Sequence, residues 1–179
     1  MTEFRLGGVL LGVATAATQI ESRRPLLRRA GINYYSRSCV SKIGDAARPG
    51  AELSDLGWEI SPEGLERVAT WAHDRWPAPI WVTENGTADN TERFRTQFLH
   101  DHLEIVAAAR STGLPFERFY HWCFVDNWEW AEGEVPRFGI VALDYATQER
   151  TVKPSGRFYA DVIAAGGVTP EIAARHLSS

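Results

Sequence analysis

The spacing of apolar and polar residues divides the chain into alternating strand and helix segments. Leu10 to Ala14 is a short apolar run of the buried-strand kind, followed by a loop carrying Gln19 and Glu21. Gly31 to Tyr35 is rich in β-formers and bounded by Gly31 and Ser36, which predicts a second strand. From Ser36 to Trp58 no period is visible, and long loops on compact domains are often functional. Ser61-Pro62-Glu63 is a helix start, with an N-cap serine, proline at the first position and acid in the first turn. Leu65, Val68, Ala69 and Ala72 then repeat at helical spacing until Pro77 and Pro79 end the helix. Pro79 to Thr83 is short, apolar and β-branched and runs into an Asn85-Gly86 turn, so a buried strand is predicted. A helix over Thr91 to Ser111 follows, with Leu99, Leu103 and Val106 on one face and Gly113 as its stop. Phe119 to Val125 reads as an aromatic strand. A short strand near Ile140 to Leu143 and a helix over Ser155 to Ala165 close the pattern.

Strands alternating with helices of this length predict βα units around a parallel sheet, the α/β class. In such folds the working residues sit at the C-terminal ends of strands. Glu84 follows one predicted strand and Asp126 to Trp130 follow another. Ser22 to Arg29, with four arginines around Pro25, Leu26 and Leu27, reads as a junction between better-patterned regions. The domain reading is one unit over residues 1–179, made of 1–21, the junction 22–30, and 31–179.

Composition narrows the function classes. The 179 residues are 44% hydrophobic and 23% charged, which suits one globular domain. A net charge of −4 argues against nucleic acid as a partner, and no apolar run reaches the ~20 residues that span a bilayer. Cys39 and Cys123 form neither a disulfide framework nor a zinc pattern, so a reducing, cytoplasmic setting is expected, with no metal and no cofactor. Gly7 to Ala17 imitates a secretory leader, with Ala14 and Ala16 as a cleavage site, but Glu3 offsets Arg5 and the strand reading is preferred. His100 and His102, two apart on a helix, do not share a face and are poor metal ligands. The unusual figure is tryptophan. Three of the seven, Trp122, Trp128 and Trp130, fall within nine residues, among Asp126, Asn127, Glu129, Glu132 and Glu134. Core packing alone does not account for so many carboxylates beside indoles, whereas sugar faces stack on such plates.

The motifs are more specific still. Trp81 to Gly86, Trp122 through Asp126-Asn127-Trp128-Glu129-Trp130-Ala131-Glu132-Gly133, and Arg137-Phe138-Gly139 resemble glycoside hydrolase family 1, the retaining β-glucosidases and β-galactosidases. Gly31 to Tyr35, Ser54 to Ile60, and Gly12 to Ala16 with Gln19-Ile20-Glu21 extend the resemblance. It implies Glu84 as the nucleophile that forms a glycosyl-enzyme, Tyr35 as the residue that hydrogen-bonds and tunes it, and Asn33 nearby. It implies that Gln19, Glu129 and Trp130 bind hydroxyls of a β-glucoside or related small sugar, with Trp122 as stacking floor. Trp128 stands where the family usually has phenylalanine and joins the same substrate-binding set. His121, before Trp122, reads as structural.

The resemblance also exposes a gap. Retaining hydrolysis needs two carboxyl groups about 5–5.5 Å apart. The family's second one lies in an Asn-Glu-Pro motif at the end of the fourth strand, and this chain contains no Asn-Glu dipeptide. A complete eight-stranded β/α barrel takes typically ~250 residues. The first-strand motif runs through the junction directly into the sixth-strand motif, so strands two to five are read as deleted. The expected fold is a partial (β/α)8 barrel, an arc of four parallel strands, the first, sixth, seventh and eighth. Such an arc has two unpaired edges and an apolar inner face, which invites a homodimer. Three functions follow: a glycosidase crippled by loss of its general acid, a non-catalytic sugar-binding remnant, or a truncated product without a cooperative fold.

Overall fold

The structure, a computed structural model, describes residues 3–13, 29–41 and 44–177. Gln19, Glu21 and most of the junction lie outside the described residues. In chain order the strands are β1 (Phe4–Arg5), β2 (Leu10–Val13), β3 (Ala30–Asn33), β4 (Cys39–Ser41), β5 (Gly44–Ala46), β6 (Ile80–Asn85), β7 (Phe116–His121), β8 (Val141–Leu143), β9 (Arg150–Val152) and β10 (Gly167–Val168). The helices are α1 (Pro62–Arg75), α2 (Arg95–Ser111), α3 (Pro154–Ala165) and α4 (Pro170–His176).

The central sheet has four strands in the order β2-β7-β6-β3, all parallel. The strands read from sequence as first, eighth, seventh and sixth are therefore neighbours in that order, as a barrel arc requires. Its two sides differ. Ile80, Val82, Phe116 and Phe119 point towards the helices and are fully buried, packing with Leu65, Leu99, Leu103, Val106 and Phe158. These are the apolar helix positions legible in the sequence, at 3.6-residue spacing. The other side carries Leu10, Arg118 and Trp81 at one level and Tyr120 and Thr83 at the next.

That second side corrects the apolar inner face expected from the sequence. Glu117 accepts hydrogen bonds from Trp81 Nε1 at 2.9 Å and from Arg29 Nε at 2.7 Å. The Arg118 guanidinium stacks 4.7 Å from the Trp81 ring and donates to the Tyr120 hydroxyl at 3.2 Å. Burying a charge is costly unless it is paired, and on this face Glu117 is paired with Arg29.

Element ends differ from the sequence reading for local reasons. Helix α2 begins at Arg95, not Thr91, because the Asp89 carboxylate takes the amides of Thr91, Arg93, Phe94 and Arg95 at 2.8–3.3 Å. An acidic side chain gathering several free amides acts as the helix cap, which holds the preceding turn outside the helix. Ser61 precedes α1, yet its hydroxyl donates to Glu63 at 2.8 Å instead of capping an amide. Residues 36–58 contain the β4–β5 hairpin, and β8 pairs with β9. Strand β6 runs to Asn85, so Glu84 lies inside it, while β7 stops at His121 and leaves Cys123 to Val125 in a loop. Among the described residues no helix is long and apolar enough to cross a membrane.

Candidate active site

The C-terminal end of the sheet positions the candidate residues. The ladder between β3 and β6 continues past the strand end, where the Tyr34 amide donates to the Glu84 carbonyl at 2.9 Å. Asn85 is fully buried and its Nδ2 donates to the Tyr34 carbonyl at 2.7 Å. The Trp122 amide donates to the Asn85 carbonyl at 2.8 Å, which sets the loop after β7 on the end of β6. Gly86 permits this approach, since a Cβ there would overlap the Trp122 carbonyl oxygen. Gly64 does the same on α1, leaving room for the Tyr34 hydroxyl, which donates to the Ser61 carbonyl at 2.6 Å.

With the backbone set in this way, the Tyr35 hydroxyl donates to Glu84 Oε2 at 2.7 Å. Burial, then the bond to Glu84, raises the Tyr35 pKa well above that of a free phenol, so Tyr35 stays a donor. Its ring stands edge-on to Trp58 at 6.0 Å and to Phe138 at 6.2 Å. The Thr83 hydroxyl donates to Asn33 Oδ1 at 2.6 Å. Across the cleft Trp122 Nε1 donates to Glu129 Oε1 at 3.1 Å. Burial raises the Glu129 pKa and the negative charges of Glu84 and Asp126 add to this, while hydrogen bonds from Trp122 and Asn127 oppose it. The turn holding Glu129 is closed by its own amide on the Gly133 carbonyl at 2.8 Å.

Asn33, Tyr35, Glu84, Trp122, Glu129 and Trp130 thus line one cleft of about 320 Å³. The structure does not bring Trp128 to its wall, where the side chain would have to leave solvent; it is 63% exposed. Gln19 lies outside the described residues. Trp58 and Phe138 complete the lining and were not singled out from sequence, although both lie within the motifs Ser54–Ile60 and Arg137–Gly139. What was missing was the fold that sets their rings against Tyr35.

Behind the cleft a buried ion network fixes the two loops. The Arg95 guanidinium is fully buried and donates to the carbonyls of Thr87 and Arg137 at 2.7 and 2.6 Å, joining the loops after β6 and β7. Asp126 takes the Gly139 amide and Lys153 Nζ, each at 2.9 Å. Asp126 therefore serves the scaffold rather than the cleft. A second cleft, of about 620 Å³, lies between the β8–β9 hairpin and this network. Its one aromatic ring, Tyr145, is covered by the Arg137 guanidinium 4.7 Å away, so it has no open plate for a sugar. His121 is fully buried, with Nε2 3.3 Å from the Phe138 carbonyl, and burial pushes its pKa down to about 3. It is a neutral ring in the core. Among the described residues the grouping suited to a metal is His100, Asp101 and Glu104 on α2; His102 instead packs on Phe98 at 3.9 Å.

A carboxylate at a strand end, a phenol bonded to it, an indole floor and a second carboxylate form the arrangement implied by the sequence motifs. Residues 10–168 match the profile described as Glycosyl hydrolase family 1. The chain belongs to glycosyl hydrolase family 1. Among curated family members it is 34% identical over 165 residues to a beta-galactosidase of Saccharolobus solfataricus, covering 83% of this chain and 33% of that one. It is 35% identical over 171 residues to the chloroplastic galactolipid galactosyltransferase of Arabidopsis thaliana, covering 93% of this chain and 28% of that one. Among solved structures, a beta-glucosidase from Thermotoga maritima in complex with glucoimidazole superposes with TM-score 0.73 at 33% identity. That match covers 79% of this chain and 35% of the other. The chain therefore spans about a third of the length of these relatives. As a family 1 chain it has a partial TIM-barrel fold, and the four-stranded arc is the part of the barrel it holds.

Proposed function

We propose that this chain acts on small β-glycosides as a retaining family 1 glycosidase with Glu84 as nucleophile, and that it carries no general acid of its own. The observation that carries the reading is the 2.7 Å bond from Tyr35 to Glu84 at the head of the cleft. A hydrogen bond to the charged form keeps a carboxylate ionised and oriented for attack on an anomeric carbon. Trp122 offers the plate for the sugar's apolar face, and Glu129 the acceptor for its hydroxyls, with Trp130 beside it. Asn33 lines the same cleft. No Asn-Glu dipeptide occurs in the chain, so the acid of the fourth-strand motif is absent. Loss of one acid/base group costs roughly 10²–10⁴-fold. Substrates whose leaving group departs without a proton should react fastest, and the glycosyl-enzyme should accumulate because no base activates water. The reading includes self-association through the open face of the sheet.

The test is incubation with an activated 2-deoxy-2-fluoro-glucoside followed by peptide mass spectrometry. The expected result is one adduct, on Glu84; a folded sample without it sinks the assignment. The absent motif also favours a second reading, a sugar-binding remnant without catalysis. In that case Glu84→Gln leaves millimolar glucose binding by calorimetry intact, and no fluoro-sugar adduct forms on the unsubstituted chain.

A further inference from the structure

The loop after β7 brings two groups, Glu129 and Trp130, to the candidate cleft. Its backbone is strained there: Trp130 has a φ of 51°, in the left-handed region that a bulky side chain rarely adopts. Such a conformation persists only where the surrounding structure fixes it. Among the described residues, the hydrogen bonds of residues 127–133 stay within residues 122–133, apart from the one made by Tyr145. Its hydroxyl, on the turn after β8, donates to the Asn127 carbonyl at 3.0 Å.

Tyr145 is itself held firmly. The Arg137 guanidinium lies 4.7 Å from its ring and donates to the Leu143 carbonyl at 3.1 Å. Gln148 Nε2 donates to the Tyr145 carbonyl at 2.8 Å. The Asp144 carboxylate takes the amides of Ala146 and Thr147 at 2.8 and 2.9 Å, which closes the turn. On the other side of the contact, Asn127 reaches towards the cleft. Its Nδ2 donates to Cys123 Sγ at 3.0 Å, and its side chain hydrogen-bonds Glu129. Glu129 is thereby held between that amide and Trp122 Nε1, 3.1 Å away. A carboxylate fixed by two donors keeps its remaining lone pairs in set directions, as recognition of a hydroxyl requires.

We infer that Tyr145 is a positioning residue for sugar binding: through the Asn127 carbonyl it holds Glu129 in the orientation from which that carboxylate accepts the hydroxyls of the sugar. Tyr145 lines the second cleft and not the candidate active site, so it acts on the sugar only through Asn127 and Glu129. The turn between β8 and β9 is then a buttress for the sugar-binding loop. This rests on the reading of Glu129 as the hydroxyl acceptor.

The test is labelling of Glu84 in the full chain by the activated 2-deoxy-2-fluoro-glucoside, resolved into the apparent dissociation constant KI and the limiting rate kinact. Tyr145→Phe keeps the ring beneath Arg137 and removes the hydroxyl. KI should rise about three- to tenfold, the range for one neutral hydrogen bond, with kinact changed by less than about twofold. Glu129→Gln should raise KI by roughly ten- to a hundredfold, as for a hydrogen bond to a charged group. Tyr145→Phe added to Glu129→Gln should then change KI by less than about twofold, because both act through one carboxylate. Ile172→Val, in α4 on the helix side, costs about as much stability as one hydrogen bond and should leave both constants unchanged. A rise in KI with Ile172→Val equal to that with Tyr145→Phe assigns the effect to lost stability and overturns the positioning role. Effects of Tyr145→Phe and Glu129→Gln that multiply independently overturn the route through Glu129. An unchanged KI in Tyr145→Phe, with a rise in Glu129→Gln, overturns Tyr145 and leaves the acceptor standing. An unchanged KI in Glu129→Gln overturns the acceptor reading and the inference together. If Glu84 takes no label, the nucleophile falls, and the same chains are compared by glucose calorimetry, where the dissociation constant should follow the same pattern. Absence of heat with glucose as well overturns the acceptor and its positioning residue.

Discussion

The two sides of the central sheet are made from the same strands, yet they are finished to different degrees. The helix side is closed: Ile80, Val82, Phe116 and Phe119 have no solvent exposure and meet Leu65, Leu99, Leu103 and Phe158. The inner side is polar and open, with Trp81, Arg118 and Tyr120 half-buried and Leu10 exposed at the edge. On the first side stability comes from apolar area removed from water. On the second, Glu117 pairs with Arg29 and Arg118 donates to the Tyr120 hydroxyl, half-exposed contacts that contribute little. The main core of the described residues thus lies on the helix side, and the candidate cleft stands where that side meets the open face.

Substitutions and pH should separate the two sides. Acid gives the largest effect and acts through the helix side. Burial pushes His102 down to about 4 and His121 down to about 3, so both rings are neutral in the folded state. The unfolded chain takes up protons near pH 6.5. The stability contributed by the neutral rings is complete above that pH and is lost as the pH falls from about 6.5 towards 4. The slope is roughly 1.4 kcal/mol per pH unit for each ring. Urea midpoints that do not move over that window would show that these rings are not the buried neutral groups described.

Phe119→Ala comes next, since it empties a fully buried aromatic site on the same side. The expected loss is about 3–5 kcal/mol in urea unfolding. At the rim, Tyr35→Phe removes the hydrogen bond to Glu84. The rate of adduct formation with the activated fluoro-sugar should fall by roughly ten- to a hundredfold, in line with about 1.5–3 kcal/mol for a hydrogen bond to a charged group. An unchanged rate would remove Tyr35 from the site. Trp81→Ala on the open face should cost the least, about 1 kcal/mol for the lost cation–π and rim contacts. A cost as large as that of Phe119→Ala would mean that the inner face is already covered in solution.

Much of the helix side was legible because its signals are local. The apolar positions Leu99, Leu103 and Val106 recur at helical spacing, and all three are fully buried. Pro62 opens α1, and the chain turns extended at Trp76, just before Pro77. The order of the four strands followed from the motifs, since a closed barrel makes its last strand a neighbour of its first. The polar inner face was not legible. Glu117 and Arg118 were not singled out in the sequence, and their contacts with Trp81 depend on β6 and β7 lying side by side. Nor was the helix start at Arg95, which depends on the Asp89 carboxylate folding over four amides.

The candidate site divides in the same way. The candidate residues for sugar chemistry, Glu84, Tyr35, Trp122, Glu129 and Trp130, were singled out from the motifs without coordinates. Their grouping around one cleft with Trp58 and Phe138, and the exposure of Trp128 outside it, were decided only by tertiary structure. The physical reason is range. Periodicity, caps and motif chemistry act over a few residues along the chain. The bond from Tyr35 to Glu84 joins positions 49 residues apart, and the one from Arg95 to the Arg137 carbonyl joins positions 42 apart. Such contacts exist only once the sheet has brought the strand ends together.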